Sequence, residues 1–197
     1  GAATRLDERV LEAMKPYFFD VYAVATSQFG YSLGVDARDA LDGARARIAA
    51  RVGAEAERFV FTSGSTEASN MALKGVALAL GDKKGRRILT SPIEDFPVLN
   101  SARGLARQGY QLDMVRVDSD GRVDLDSLRD AITDDTILIS IQSANQEIGT
   151  LQDLAAIRLE QDVCHAEGHG AEAHRNQPAQ RVLARGELLP GLLEGRL

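Results

Sequence analysis

The sequence predicts an α/β fold, a mostly parallel sheet carrying helices on both faces. Three observations lead there. Short β-rich runs alternate with amphipathic stretches long enough to be crossover helices. The last β run, Thr136 to Ile141, is rich in Ile and Leu, as a strand covered on both faces must be. Apolar residues make up 44% and charged residues 26% of 197, enough for one sizeable core.

Taken in order, Asp7 to Phe18 reads as a short helix capped by Asp7, with Val10, Leu11, Met14 and Phe18 on one face. Residues 19–34 lack a period and read as a loop. Val35 to Ala50 is helical, with Ala37, Leu41, Ala44 and Ile48 recurring at three and four. Arg58 to Thr62 is a candidate buried strand. It ends in the turn Ser63–Glu67, and a helix follows from about Thr66 to Leu80. Then come a strand at Arg87 to Thr90, a helix at Asp95 to Gln108 and a strand at Gln111 to Val117. A helix at Leu125 to Ile132, with Asp124 as its cap, leads to the final strand. After about Ile157 the composition shifts to Ala, Gly, Arg, His and Gln, with no convincing strand.

Composition excludes several functions. A net charge of −6 argues against a non-specific nucleic-acid binder. No apolar run approaches the roughly 20 residues that span a membrane. A single cysteine, Cys164, and the lack of a secretory pattern fit a cytoplasmic protein. Cys164 with His165 and His169 has no familiar zinc spacing, so no metal site is expected.

Parallel sheets bind ligands where strands end and helices begin, so two loops matter most. In FTSGSTEASN, Phe61 to Asn70, a glycine turn and hydroxyl residues open a helix. The N–H groups of a helix start favour a phosphate dianion, and Ser65 and Thr66 can add donors. The same residues also suit an ordinary cap, with Glu67 favouring the first turn. In SANQEIGT, Ser143 to Thr150, Asn145 and Gln146 can donate to a phenolate-type oxygen, or the segment is simply a polar turn. In SPIEDFPVLN, Ser91 to Asn100, Glu94 and Asp95 are candidate catalytic carboxylates or solvated capping residues.

Together these motifs resemble the NifS/IscS type of cysteine desulfurase, within the class V aminotransferases. The matching stretches are GAATRLDERVLEAM, DARDALDGARARIAARVGA, FVFTSGSTEASNMALKGVA, ILTSPIEDFPVLNSARGLARQGY, GRVDLDSLRDAITDDTILISI and ANQEIGTLQDLAAI. They stand in family order at family spacing, so residues 1–157 resemble the N-terminal part of the large domain of a fold type I pyridoxal 5′-phosphate (PLP) enzyme. The resemblance implies conversion of L-cysteine, or a similar amino acid, to L-alanine plus an enzyme-bound persulfide. That sulfur passes to an acceptor protein in iron–sulfur assembly or thiolation. It also implies a homodimer, with PLP as the electron sink. Ser65 and Thr66 match the positions that hold the PLP phosphate. Asp95 falls where the family has a histidine stacked on the pyridine ring, and Gln146 where it has an asparagine beside the ring oxygen.

The family's Schiff-base lysine and mobile-loop cysteine both come after the matched stretch. All four lysines, Lys15, Lys74, Lys83 and Lys84, lie in the first half of this sequence. The expectation is therefore a chain incomplete and inactive alone, with 158–197 a divergent tail: disordered, frameshifted, or complemented by another chain. The alternatives are a non-catalytic desulfurase paralogue acting as a binding or scaffold protein, another class V aminotransferase or lyase, and a generic phosphate-ligand binder.

Overall fold

The computed structural model describes residues 4–25 and 31–160. Cys164, the three histidines and the rest of the tail lie outside them. The chain divides into two compact units, one ending at Phe61 and one beginning at Thr62.

In the first unit, Asp7 caps α1 (Glu8–Met14) by accepting the Arg9 N–H at 2.8 Å. The single helix expected from Asp7 to Phe18 is two helices. Pro16 has no N–H to continue the ladder, so α2 (Pro16–Phe19) starts afresh. Helix α3 (Ser32–Arg51) begins three residues earlier than Val35, taking in the end of the expected loop.

The run Arg58 to Thr62 is not a strand. A 3-10 turn at Ala56–Arg58 leads into extended backbone with no ladder among the described residues. Aromatic and β-branched residues favour extended backbone, but a strand also needs a neighbour to take its hydrogen bonds. Side chains fill that role in part. The Arg45 Nε donates to the Phe59 carbonyl at 3.1 Å, and its guanidinium lies 5.7 Å from the centre of the Phe61 ring.

In the second unit, α4 (Ser65–Leu80), β1 (Arg87–Thr90), α5 (Phe96–Ala106), β2 (Gln111–Met114), α6 (Leu125–Ala131) and β3 (Thr136–Ser140) follow in turn. A further helix runs over 154–160. The sheet order is β2-β1-β3, parallel throughout, as the alternation predicts. Alternate residues of β1 face opposite sides. Ile88 packs with Leu73 and Ala77 of α4 and with Val98, Ala102 and Leu105 of α5. Leu89 packs with Leu128 of α6 and with Ile157. Both strand residues are fully buried, a contribution of about 1.5–3 kcal/mol per large aliphatic side chain. Arg87 pairs with Thr136 but Ile88 pairs with Leu138, so Ile137 is an extra residue in β3. That irregularity explains why both Ile137 and Leu138 join the α4–α5 side of the core. At the other end of the same ladder, the Thr90 Oγ1 donates to the Ser140 carbonyl at 2.9 Å.

Candidate functional site

Three segments of the second unit carry the predicted site residues: the start of α4, the loop between β1 and α5, and the loop after β3. The first helical bond of α4 runs from the Ala68 N–H to the Gly64 carbonyl at 3.1 Å, so the N–H groups of Ser65, Thr66 and Glu67 precede the ladder at the helix end. Glu67 accepts both the backbone N–H and the hydroxyl of Ser63 at 2.7 Å. These two bonds, the backbone one first, hold its carboxyl below the usual range. Its charge is thus engaged behind the helix start. The Asn70 side-chain amide donates to the Thr66 carbonyl at 2.9 Å, and the Ser69 hydroxyl to the Ser65 carbonyl at 2.7 Å, so the first turn is tied to the second.

Ser65 and Thr66 are exposed. Thr66 opens onto a cleft of about 340 Å³ that it lines with Asn70, Phe96, Pro97, Asn100 and Ser101. The starts of α4 and α5 therefore border one cleft, and both present the positive end of a helix dipole. Asp95 is the N-cap of α5, half-buried, directly before the cleft-lining Phe96. Asn70, Phe96 and Asn100 are site candidates that sequence reasoning missed. The signal was available, since Thr66–Asn70 and Phe96–Asn100 are each four apart on one helix face.

Gln146 is exposed at the tip of a small hairpin-like loop, outside the cleft lining. The loop closes through Asn145 N–H to the Thr150 carbonyl and Gln152 N–H to the Ser143 carbonyl, both at 2.9 Å. Asn145, expected to share the ligand with Gln146, is instead committed to this loop. Its carbonyl oxygen accepts the N–H groups of Glu147 at 2.8 Å and Ile148 at 3.0 Å, and its amide donates to the Ile93 carbonyl at 3.0 Å. This Asx turn commits the carbonyl oxygen and one of the two amide hydrogens to the loop itself.

Ile93 belongs to the β1–α5 loop, and the two loops are joined there. The Gln142 side chain also donates to the Ile93 carbonyl, and the Glu94 carboxylate accepts the Gln142 backbone N–H. Glu94 is only 6% exposed, so it is neither a solvated cap nor open to a ligand, as its sequence setting allowed. Beneath the β3 loop, the turn 118–122 docks through Gln152. Its amide donates to the Gly121 carbonyl at 2.7 Å, and its carbonyl oxygen accepts the Val123 N–H at 2.9 Å.

The donors at the start of α4 suit the phosphate of a cofactor such as PLP. Lys74 is exposed on α4 eight residues beyond Thr66, about 12 Å along the axis at about 1.5 Å per residue. Among the described residues no group of His, Cys, Asp and Glu could hold a metal, and no helix is long and apolar enough to cross a membrane.

Comparison with known proteins identifies the family. Residues 1–169 match the family described as Aminotransferase class-V. The chain is 42% identical over 166 residues to cysteine desulfurase IscS of Dictyoglomus turgidum, covering 83% of this chain and 41% of that protein. It is 41% identical over 152 residues to cysteine desulfurase IscS 1 of Archaeoglobus fulgidus, covering 77% and 39%. Among solved structures, a NifS-like protein superposes with a TM-score of 0.76 at 36% identity, over 81% of this chain and 43% of that one. SspA, solved in complex with cysteine, superposes with a TM-score of 0.75 at 32% identity, over 82% and 46%. The chain spans about two fifths of the length of these curated relatives. Proteins of this kind are PLP-dependent and of fold type I, the α/β architecture seen here. The chain belongs to the class-V aminotransferase family and is related to its IscS/NifS cysteine desulfurases.

Proposed function

We propose that residues 1–157 form the N-terminal part of a PLP-dependent large domain and supply the phosphate-holding half of a cysteine desulfurase site. One observation carries the reading: the exposed Thr66 opens a helix onto a cleft shared with the start of α5. Thr66 and Ser65 donate hydroxyl and backbone hydrogen bonds to a phosphate, aided by the dipole of a 16-residue helix. Asp95 stands at the ring end, where its charge and shape replace a stacking imidazole. Gln146, exposed on the loop after β3, takes the position where the family has an asparagine beside the ring oxygen, with one methylene more. PLP, when bound, supplies an electron sink for cleavage of the substrate C–S bond.

The reaction is L-cysteine plus an enzyme thiol giving L-alanine plus a persulfide: one C–S and one S–H bond break, one S–S and one C–H bond form, and the carbon is reduced as the sulfur is oxidised. The lysine and thiol come from sequence beyond the matched segment, whether in a continuing chain, a complementing chain or a dimer partner. The sulfur passes to an acceptor protein of iron–sulfur or thiolation chemistry, in the cytoplasm. The family match runs on to residue 169, past the boundary expected at Ile157, so the divergent stretch is residues 170–197.

The test is addition of PLP, borohydride reduction and peptide mapping. The expected result is no modified lysine in this chain alone and a modified lysine in a complementing chain. Labelling of Lys74, or no binding with any partner, overturns the reading. A Thr66→Val variant should bind phosphate about tenfold more weakly, since a hydrogen bond to a charged group is worth about 1.5–3 kcal/mol.

Asp95 and Gln146 favour a second reading, a paralogue that keeps the fold and its partner surfaces without catalysis. Recovery of a desulfurase or a sulfur acceptor in pull-downs, with no PLP bound, would support it.

A further inference from the structure

We propose that Glu94 is a positioning residue: by holding the Gln142 N–H it fixes the spacing of the loops that carry Asp95 and Gln146, and so sets the ring end of the site. The inference rests on the PLP reading above.

Burial comes first. Glu94 is 6% exposed, although its neighbours Pro92 and Phe96 are exposed and Ile93 and Asp95 half-buried. A carboxylate out of water is costly unless its oxygens are hydrogen-bonded, so one turned inward from a surface loop is held by what it bonds. Here it bonds the Gln142 backbone N–H, 48 residues away in sequence.

Two more bonds cross the same gap. The Gln142 and Asn145 side chains both donate to the Ile93 carbonyl, which thereby uses both lone pairs. The cross-tie involves residues 93 and 94 on one side and 142 and 145 on the other. Asp95 and Gln146 are each the next residue along, one Cα step of about 3.8 Å away. Any shift of the tie is passed to both.

The phosphate end is built separately. Ser63 donates to Glu67, Ser69 to Ser65 and Asn70 to Thr66, three bonds within the start of α4. Loosening the tie should therefore damage recognition of the ring and spare recognition of the phosphate.

The experiment compares inorganic phosphate with pyridoxine 5′-phosphate, which has the ring and phosphate but no aldehyde to react with lysines. Both are titrated into the full chain. Glu94→Ala should weaken pyridoxine 5′-phosphate about tenfold and leave phosphate within about twofold. Glu94→Gln, whose amide oxygen can still accept the Gln142 N–H, should recover most of the loss. Unchanged affinity for both probes in Glu94→Ala, or parallel loss of both, overturns the inference. Should Glu94→Ala fail to fold, Gln142→Ala removes only the side-chain donor to Ile93. It should show a smaller loss in the same ring-selective sense, and its absence overturns the proposal. A wild-type chain that binds phosphate but gains nothing from the ring overturns the PLP reading, and the inference with it.

Discussion

Replacing Gly121 with alanine should destabilise the second unit by about 2 kcal/mol, and half of that loss should vanish when Ile148 is also shortened. Gly121 sits at φ +77°, in the left-handed region, where a side chain costs about 1–2 kcal/mol. An added Cβ would also stand 2.6 Å from the Ile148 Cδ1. That atom ends a flexible side chain that is 59% exposed, so it can move aside for about 0.5–1.5 kcal/mol of rotamer strain. Ile148→Ala alone should lie within about 0.5 kcal/mol of wild type, as an exposed position away from the core. In the double variant the Ile148 clash disappears, while the backbone part and the milder contacts to the Ile93 Cδ1 at 3.3 Å and the Thr150 Oγ1 at 3.4 Å stay. Urea unfolding reads the difference: with a slope of about 2 kcal/mol/M, Gly121→Ala shifts the midpoint by about 1 M and the double variant by about half that. Additive losses in the double variant would refute the contact, and a neutral Gly121→Ala would refute the backbone argument as well.

Leu128 is fully buried on the α6 side of the sheet, so Leu128→Ala should cost about 3 kcal/mol in the same assay. Glu160 takes two bonds from the Arg129 guanidinium, at 2.6 and 2.7 Å, joining helix 154–160 to α6. Glu160→Gln should speed amide exchange in 154–160, and the difference from wild type should shrink at high salt. Asp124 accepts the Ser127 N–H and pairs with Arg116, and these bonds, the backbone one first, lower its carboxyl pKa. Its contribution is full above the unfolded value of roughly 4 and fades as pH falls through the lower folded value. The gap in thermal stability between wild type and Asp124→Ala should therefore be present at pH 7 and close toward pH 2.

The parts of the fold that were legible in the sequence are those set by local chemistry. Asp7 and Asp124 announce helix starts because a short carboxylate bonds the N–H groups that follow it. The apolar run at β3 announces a strand buried on both faces, and all five of its residues are buried. Arg58 to Thr62 misled because its β preference is local whereas pairing is not. Pro16 was visible, and its missing N–H should have divided the first helix. At the site, the helix-opening motif at Ser65 was legible for the same local reason. The tasks of Glu94 and Asn145 were not, since each depends on a partner about 50 residues away.

The cross-tie also bears on how such a site changes over generations. It is made from one backbone carbonyl, one carboxylate, one backbone N–H and two side-chain amides, at positions 93, 94, 142 and 145. Positions 95 and 146 are each one residue along from this frame. A lineage can therefore exchange the groups that meet the ligand while the scaffold that aims them stays intact. Asp95 and Gln146 then read as new fittings on a standing frame, and their chemistry can be rewritten by substitution without rebuilding either loop.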